Sequence, residues 1–122
     1  MCVSFGDIIG AQKWMQDTML TKFTLLVDQK RVLYKLFGLE RSFSRVWNTK
    51  TLIYYAEQVK INRELPRAYK DIHDDPHQMG GNFIIDIETF KILYSFKSKI
   101  PPDRPSCEDL IEKLNSFNNC QN

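Results

Sequence analysis

The chain has 122 residues, 43% of them hydrophobic and 26% charged, with 17 Lys and Arg against 15 Asp and Glu. That length suits one domain with a single modest core. The near-balance of interspersed charge excludes a concentrated basic face for nucleic acid or an anionic membrane, and no apolar run approaches the ~20 residues a bilayer span requires.

The opening MCVSF is short, apolar and β-prone. It carries neither the basic region nor the apolar run of a signal peptide, because Gly6 and Asp7 interrupt it. The expected setting is therefore the cytoplasm. Asp7 is placed to cap a helix in which Ile8, Ala11, Trp14 and Met15 share one face. KFTLLVD then alternates Phe23, Leu25 and Val27 as a strand does. Asp28 caps a second helix with Val32, Leu33, Leu36 and Phe37, and Gly38 suits its C-terminal end.

From Ser42 to about Asn62 the pattern predicts one longer helix that stops before Pro66. Val46, Trp47, Leu52, Ile53, Tyr54, Tyr55, Ala56 and Val59 spread over more than one face. Such a helix is either buried or presents aromatics to a partner, and burial is the expectation. NFIIDI and KILYSF follow as a β-hairpin. KSKIPPDRPS holds three prolines and reads as an ordered, irregular loop. Ser106 with Asp109 forms a capping box for a last helix whose stripe is Leu110, Ile111, Leu114 and Phe117. The order is β-α-β-α-α-β-β-α, an α/β pattern over residues 1–117, with a polar tail over 118–122 that frays.

Three cysteines, Cys2, Cys107 and Cys120, are odd in number and never spaced as C-x-x-C. They point to free thiols in a reducing compartment, with no disulfide framework or zinc ribbon. Cys107 follows the Ser106 cap, where helix amides favour a thiolate, but Glu108 and Asp109 beside it oppose that effect. Without a base or second cysteine in sequence, a catalytic role for it is not expected.

The densest chemistry lies in HDDPHQMGG, residues 73–81. His73, Asp74, Asp75 and His77 are metal-ligand types, but Pro76 stiffens the peptide between them and no distant ligand set completes a site. No metal or other cofactor is expected. Gly80 and Gly81 either start a strand beside a bulge or let backbone approach a reactive group closely. Arg104 either orients an acidic substrate or is a loop residue locked by Asp103 and Pro105. Arg45 and Trp47 fit a pocket lining and a core rim equally well.

Taken in order, LLVDQKRVLYKLFGLERS, RVWNTKTLIYYAE, DDPHQMGGNFIID and SKIPPDRPS resemble the peroxiredoxin-like AhpC/TSA antioxidant family, which includes prostamide/prostaglandin F synthase-type reductases. The resemblance runs from Val3 to about Leu114. It implies a thioredoxin-like fold, a mixed sheet ending in a β-hairpin and helix, and thiol-dependent reduction of a peroxide, disulfide or other small-molecule substrate. In that family the redox motif, usually C-x-x-C, ends a strand upstream of the segment resembling MCVSFGDIIGAQKW. The expected fold is therefore incomplete, lacking that strand and the redox-motif helix, with no catalytic cysteine in this chain. The strands present would pair MCVSF with KFTLLVD and NFIIDI with KILYSF, leaving open edges through which a homodimer forms. On the resemblance Gly80 and Gly81 shape the floor of a redox pocket and Gln78 hydrogen-bonds a substrate, and Arg104, able to orient an acidic substrate or hold a thiolate charged, completes the expected substrate-binding residues. A non-catalytic interaction module on the same scaffold is the competing expectation.

Overall fold

The computed structural model describes residues 1–65 and 68–119. Pro66, Cys120 and most of the polar tail thus lie outside the described residues. Strand β1 (Cys2–Ser4) and strand β2 (Leu25–Val27) run parallel, in the register Cys2↔Leu25 to Ser4↔Val27, joined by helix α1 (Ile8–Asp17). A parallel pair needs such a crossover. Asp7 starts α1 as expected, its carboxylate accepting the Ile9 N–H at 2.6 Å.

Helix α2 (Val32–Leu36) is held at its start by Asp28, whose carboxylate accepts the N–H groups of Val32, Leu33 and Tyr34 at 2.8, 2.7 and 3.2 Å. Gly38 leaves the helix at φ +64°, a left-handed angle that glycine adopts without a Cβ penalty.

The expected long helix is two helices, α3 (Phe43–Val46) and α4 (Thr49–Lys60). Asn48 divides them. It is extended, and its side-chain oxygen accepts the Thr51 N–H at 2.9 Å, offering the backbone a cap in place of helix continuation. Thr51 is buried and its hydroxyl donates to the Arg45 carbonyl at 3.1 Å, which fixes the joint.

The expected burial of this segment is overturned. Trp47, Leu52, Ile53 and Val59 are all half or more exposed. The spread of apolar residues that suggested burial instead leaves five of the eight exposed, because among the described residues no second layer covers α4.

Strand β3 (Gly81–Ile85) and strand β4 (Ile92–Lys97) form the expected antiparallel hairpin, with a register shift at Ile84 and Ile85. Helix α5 (Cys107–Asn119) follows the proline loop. Its capping box is present, with Asp109 N–H to Ser106 Oγ at 3.0 Å and Ser106 N–H to Asp109 at 3.1 Å. The Ser106 hydroxyl and then the Ser106 N–H, both directed at the Asp109 carboxyl, hold it below its ordinary value.

The pairings are those expected, but they make two separate two-stranded sheets, β1–β2 and β3–β4, in place of one mixed sheet. Among the described residues no strand bridges β1 and β3. The core is correspondingly thin: among the described residues Ala11 and Met79 are the buried apolar side chains, beside buried Thr51 and Ser98.

Candidate functional site

Between the two sheets lies a cleft of about 840 Å³, walled by Cys2 and Val3 on one side and Gly80 to Ile85 on the other. Leu33, Tyr34, Phe37, Leu110, Leu114 and Arg104 also line it. The Phe37 and Phe83 rings stack at 4.5 Å on its wall. A second hollow of about 210 Å³ holds Phe5, Gly10, Tyr69 and Asp74, and shares Cys2 and Tyr34 with the first.

The cleft's edges are backbone. Cys2 N–H donates to the Thr24 carbonyl at 2.9 Å and Asp28 N–H to the Ser4 carbonyl at 2.8 Å, so residues 2 and 4 turn toward β2. Val3 therefore turns toward the cleft. Its carbonyl accepts the Tyr34 hydroxyl at 3.0 Å. Burial raises the Tyr34 pKa, Cys2 and Asp28 add to that, and Arg104 and Arg31 oppose it. On the other wall Ser98 N–H donates to the Gly80 carbonyl at 3.0 Å and Asp86 N–H to the Lys91 carbonyl at 2.9 Å. Even-numbered β3 residues thus face β4, and Gly81, Phe83 and Ile85 face away from it.

Of the residues expected to contact substrate, the structure brings together Gly80, Gly81 and Arg104 and leaves Gln78 out. A Cβ on Gly81 would stand 2.5 Å from the Phe96 carbonyl oxygen, and one on Gly80 3.0 Å from Arg104 Nη2. Gly81 is also the first residue of β3, the strand-start reading of the glycine pair, and what approaches the two glycines closely is the Phe96 carbonyl and the Arg104 guanidinium. Arg104 Nη1 donates to the buried Ser98 Oγ and, at 2.8 Å, to the Asp103 carbonyl. It is locked locally and also lines the cleft. The Gln78 amide is spent on backbone, donating to the carbonyls of Leu39 at 3.0 Å and Met79 at 3.1 Å.

The rest of HDDPHQMGG is a structural tie. Asp75 receives Arg31 Nη1 at 2.7 Å, the Arg41 guanidinium, and the His77 N–H at 3.0 Å. Burial alone would raise its pKa, but Arg41, the His77 amide and Arg31 outweigh burial and hold it down to about 2. His77 Nε2 accepts Trp47 Nε1–H at 3.2 Å, and the His77 carbonyl accepts the Ser42 N–H at 2.8 Å. Asp74 instead accepts the Asp7 N–H at 3.3 Å, and His73 is exposed. Among the described residues no three His, Cys, Asp or Glu side chains come close enough together to hold a metal ion.

Two thiols are described. Cys2 is half-buried at the cleft wall, and Cys107 is exposed at the first residue of α5. Sequence reasoning missed the place of Cys2 and Tyr34 in the cleft, and the Arg31–Asp75 pair. Their contacts span 31 and 44 residues, and no local pattern signals them.

Helices and short sheets in this order define an α/β protein with an apolar cleft between a parallel pair and an antiparallel hairpin. The chain belongs to the peroxiredoxin-like AhpC/TSA family: the model of the AhpC/TSA antioxidant enzyme matches residues 1–99. That membership implies a thioredoxin-like fold. Neither a curated protein nor a solved structure matches the chain. Among the described residues no helix is long and apolar enough to cross a membrane.

Proposed function

We propose that the chain is the scaffold half of a thiol-dependent reductase of the AhpC/TSA kind, acting on a peroxide or disulfide, and that it does not turn over by itself. The cleft carries this reading. It brings Gly80, Gly81 and Arg104 to one wall, and among the described residues no thiol there is paired with a base. A peroxidatic thiol reacts as the thiolate and needs a cation, a helix N-terminus or a base to favour that form. Cys2 sits within a strand and has the Tyr34 phenol as its neighbour in the cleft. Cys107 has Glu108 and Asp109 behind it and lies in the solvent.

On this reading the thioredoxin-like sheet is incomplete between β1 and β3, and the reactive sulfur belongs to the element that would fill the gap. Free thiols fit a reducing compartment such as the cytoplasm. The open cleft also favours a second reading, an interaction module without catalysis. Thiol peroxidase assays with hydrogen peroxide and a dithiol reductant decide between activity and scaffold. We expect no turnover above buffer. Turnover that disappears in Cys2→Ser or Cys107→Ser would make that cysteine the nucleophile and end the scaffold reading.

A further inference from the structure

We propose that His77 and Trp47 form a pH-sensitive latch: the neutral His77 imidazole holds the Trp47 indole against the loop that precedes β3, and protonation of His77 releases it. The latch is independent of the redox reading and of the cleft, because neither residue lines a cleft wall.

The direction of one hydrogen bond carries the proposal. Trp47 Nε1–H donates to His77 Nε2 at 3.2 Å. An indole nitrogen only donates, so the imidazole nitrogen must accept, and it accepts only while it carries no proton. The single proton of the neutral ring then sits on Nδ1, which faces Asp75 Oδ1 at 3.6 Å. A second proton turns Nε2 into a donor that meets the indole N–H head-on. Turning the ring over restores nothing, since both nitrogens of an imidazolium are donors. Histidine is the side chain that ordinarily changes charge between about pH 5 and pH 8.

The surroundings hold the imidazole in place and leave the indole free to go. The His77 N–H donates to Asp75 at 3.0 Å, and its carbonyl accepts the Ser42 N–H at 2.8 Å. Neither bond depends on the charge of the ring, so the loop stays where it is. The Phe43 ring, centred 5.1 Å from the imidazole, closes another side and offers no acceptor to the indole. Trp47 ends α3 and is 54% exposed, so its N–H finds water once His77 is protonated. Release therefore frees one side chain and does not unfold the junction, which Asn48 and Thr51 still fix.

The charges around the ring leave the switching to His77 itself. They are His73 and Asp75 on its own loop, Arg31 ahead of α2, Glu40 and Arg41 ahead of α3, and Arg45 within α3. Among the described residues Asp75 is the carboxylate paired with His77, and it attracts the imidazolium. The same carboxylate already binds Arg31 and Arg41, so protonation adds a third cation to one anion. With its carboxyl near 2, Asp75 keeps its charge throughout the range in which histidine titrates.

The test follows the indole N–H signals of Trp14 and Trp47 by NMR in the full chain as the pH falls from about 8 to about 5, with Trp14 as internal reference. The Trp47 signal should shift in one step, and its exchange with water relative to Trp14 should rise about fivefold, the worth of one net hydrogen bond. His77→Gln supplies a carbonyl oxygen that accepts at every pH, so the step should vanish, whereas His73→Gln should leave it intact. Trp47→Phe, at a half-exposed position, reads the latch from the other side. There His77 lacks its donor and should take up a proton at higher pH than in the wild-type chain. A Trp47 signal indifferent to pH would overturn the proposal. So would a step that survives His77→Gln, one that is lost in His73→Gln, or one that Trp14 shares, which would mark a change of the whole fold. Protonation of His77 at an unchanged pH in Trp47→Phe would overturn it as well.

Discussion

The Asp75 node and the β1–β3 cleft are neighbours along the chain, Asp75 lying shortly before Gly80 and Gly81, yet they solve the problem of polar groups in opposite ways. At the node, one carboxylate collects two guanidiniums and a backbone amide, and His77 next to it takes the Trp47 indole N–H. Polar valence there is satisfied within the chain. In the cleft, two strand edges face an apolar space, and the Asn82 oxygen has no partner. The node pins the Leu39–Ser42 segment to the hairpin through Met79 N–H to the Glu40 carbonyl at 3.1 Å and Ser42 N–H to the His77 carbonyl. What the node fixes is the position of one cleft wall. The difference teaches that the chain spends its polar groups on placing β3 and leaves the free side of β3 open.

Gly81→Val breaks the comparison on the cleft side and carries the largest expected effect. Its Cβ would meet the Phe96 carbonyl oxygen at 2.5 Å, so backbone must move. We expect a loss of about 3 kcal/mol in denaturant unfolding, with the hairpin distorted. A loss near zero would show that the two strands separate there at no cost.

Asp75→Asn tests the other side. Removing the charge leaves Arg31 and Arg41 without their shared acceptor, and about 2 kcal/mol should be lost at neutral pH. The Asp75 carboxyl lies near 2, below its ordinary value. A carboxyl lowered in the folded state stabilises above its unfolded pKa and loses that contribution as pH falls through the folded value. The gap between wild type and variant should therefore be full above about pH 4 and close toward about pH 2. Unfolding curves across that range measure it, and a gap independent of pH would assign the effect to packing.

Val59→Ser is the smallest change. At 60% exposure on α4 it should alter stability by less than about 0.5 kcal/mol. A loss several times larger would mean that the apolar face of α4 is covered in solution.

Local chemistry made much of this legible from sequence. Asp7, Asp28 and the Ser106–Asp109 box start their helices where side-chain oxygens meet free amides, a relation confined to a few residues. The hairpin likewise follows from adjacent β-rich runs. The break at Asn48 was equally local in its chemistry, but the apolar pattern running through it suggested continuity. Burial failed for a different reason: periodicity reports which residues could share a face, and whether another layer exists is decided by the whole topology. Within the site, the glycine pair and Arg104 were visible as residue types. The bonds of the Gln78 amide to the Leu39 and Met79 carbonyls were not visible, because an amide side chain serves backbone as readily as substrate. The Asp75 partners Arg31 and Arg41 lie 44 and 34 residues away, beyond any spacing rule.

The central claim is that β3 has one paired and one open edge, and amide exchange in the chain alone tests it most directly. Asn82 and Ile84 face β4, whereas Phe83 and Ile85 face the cleft. The account predicts alternation along one strand at low protein concentration, slow exchange at Asn82 and Ile84 and fast exchange at Phe83 and Ile85. Equally slow exchange at all four amides would contradict it, because the cleft edge would then already be paired.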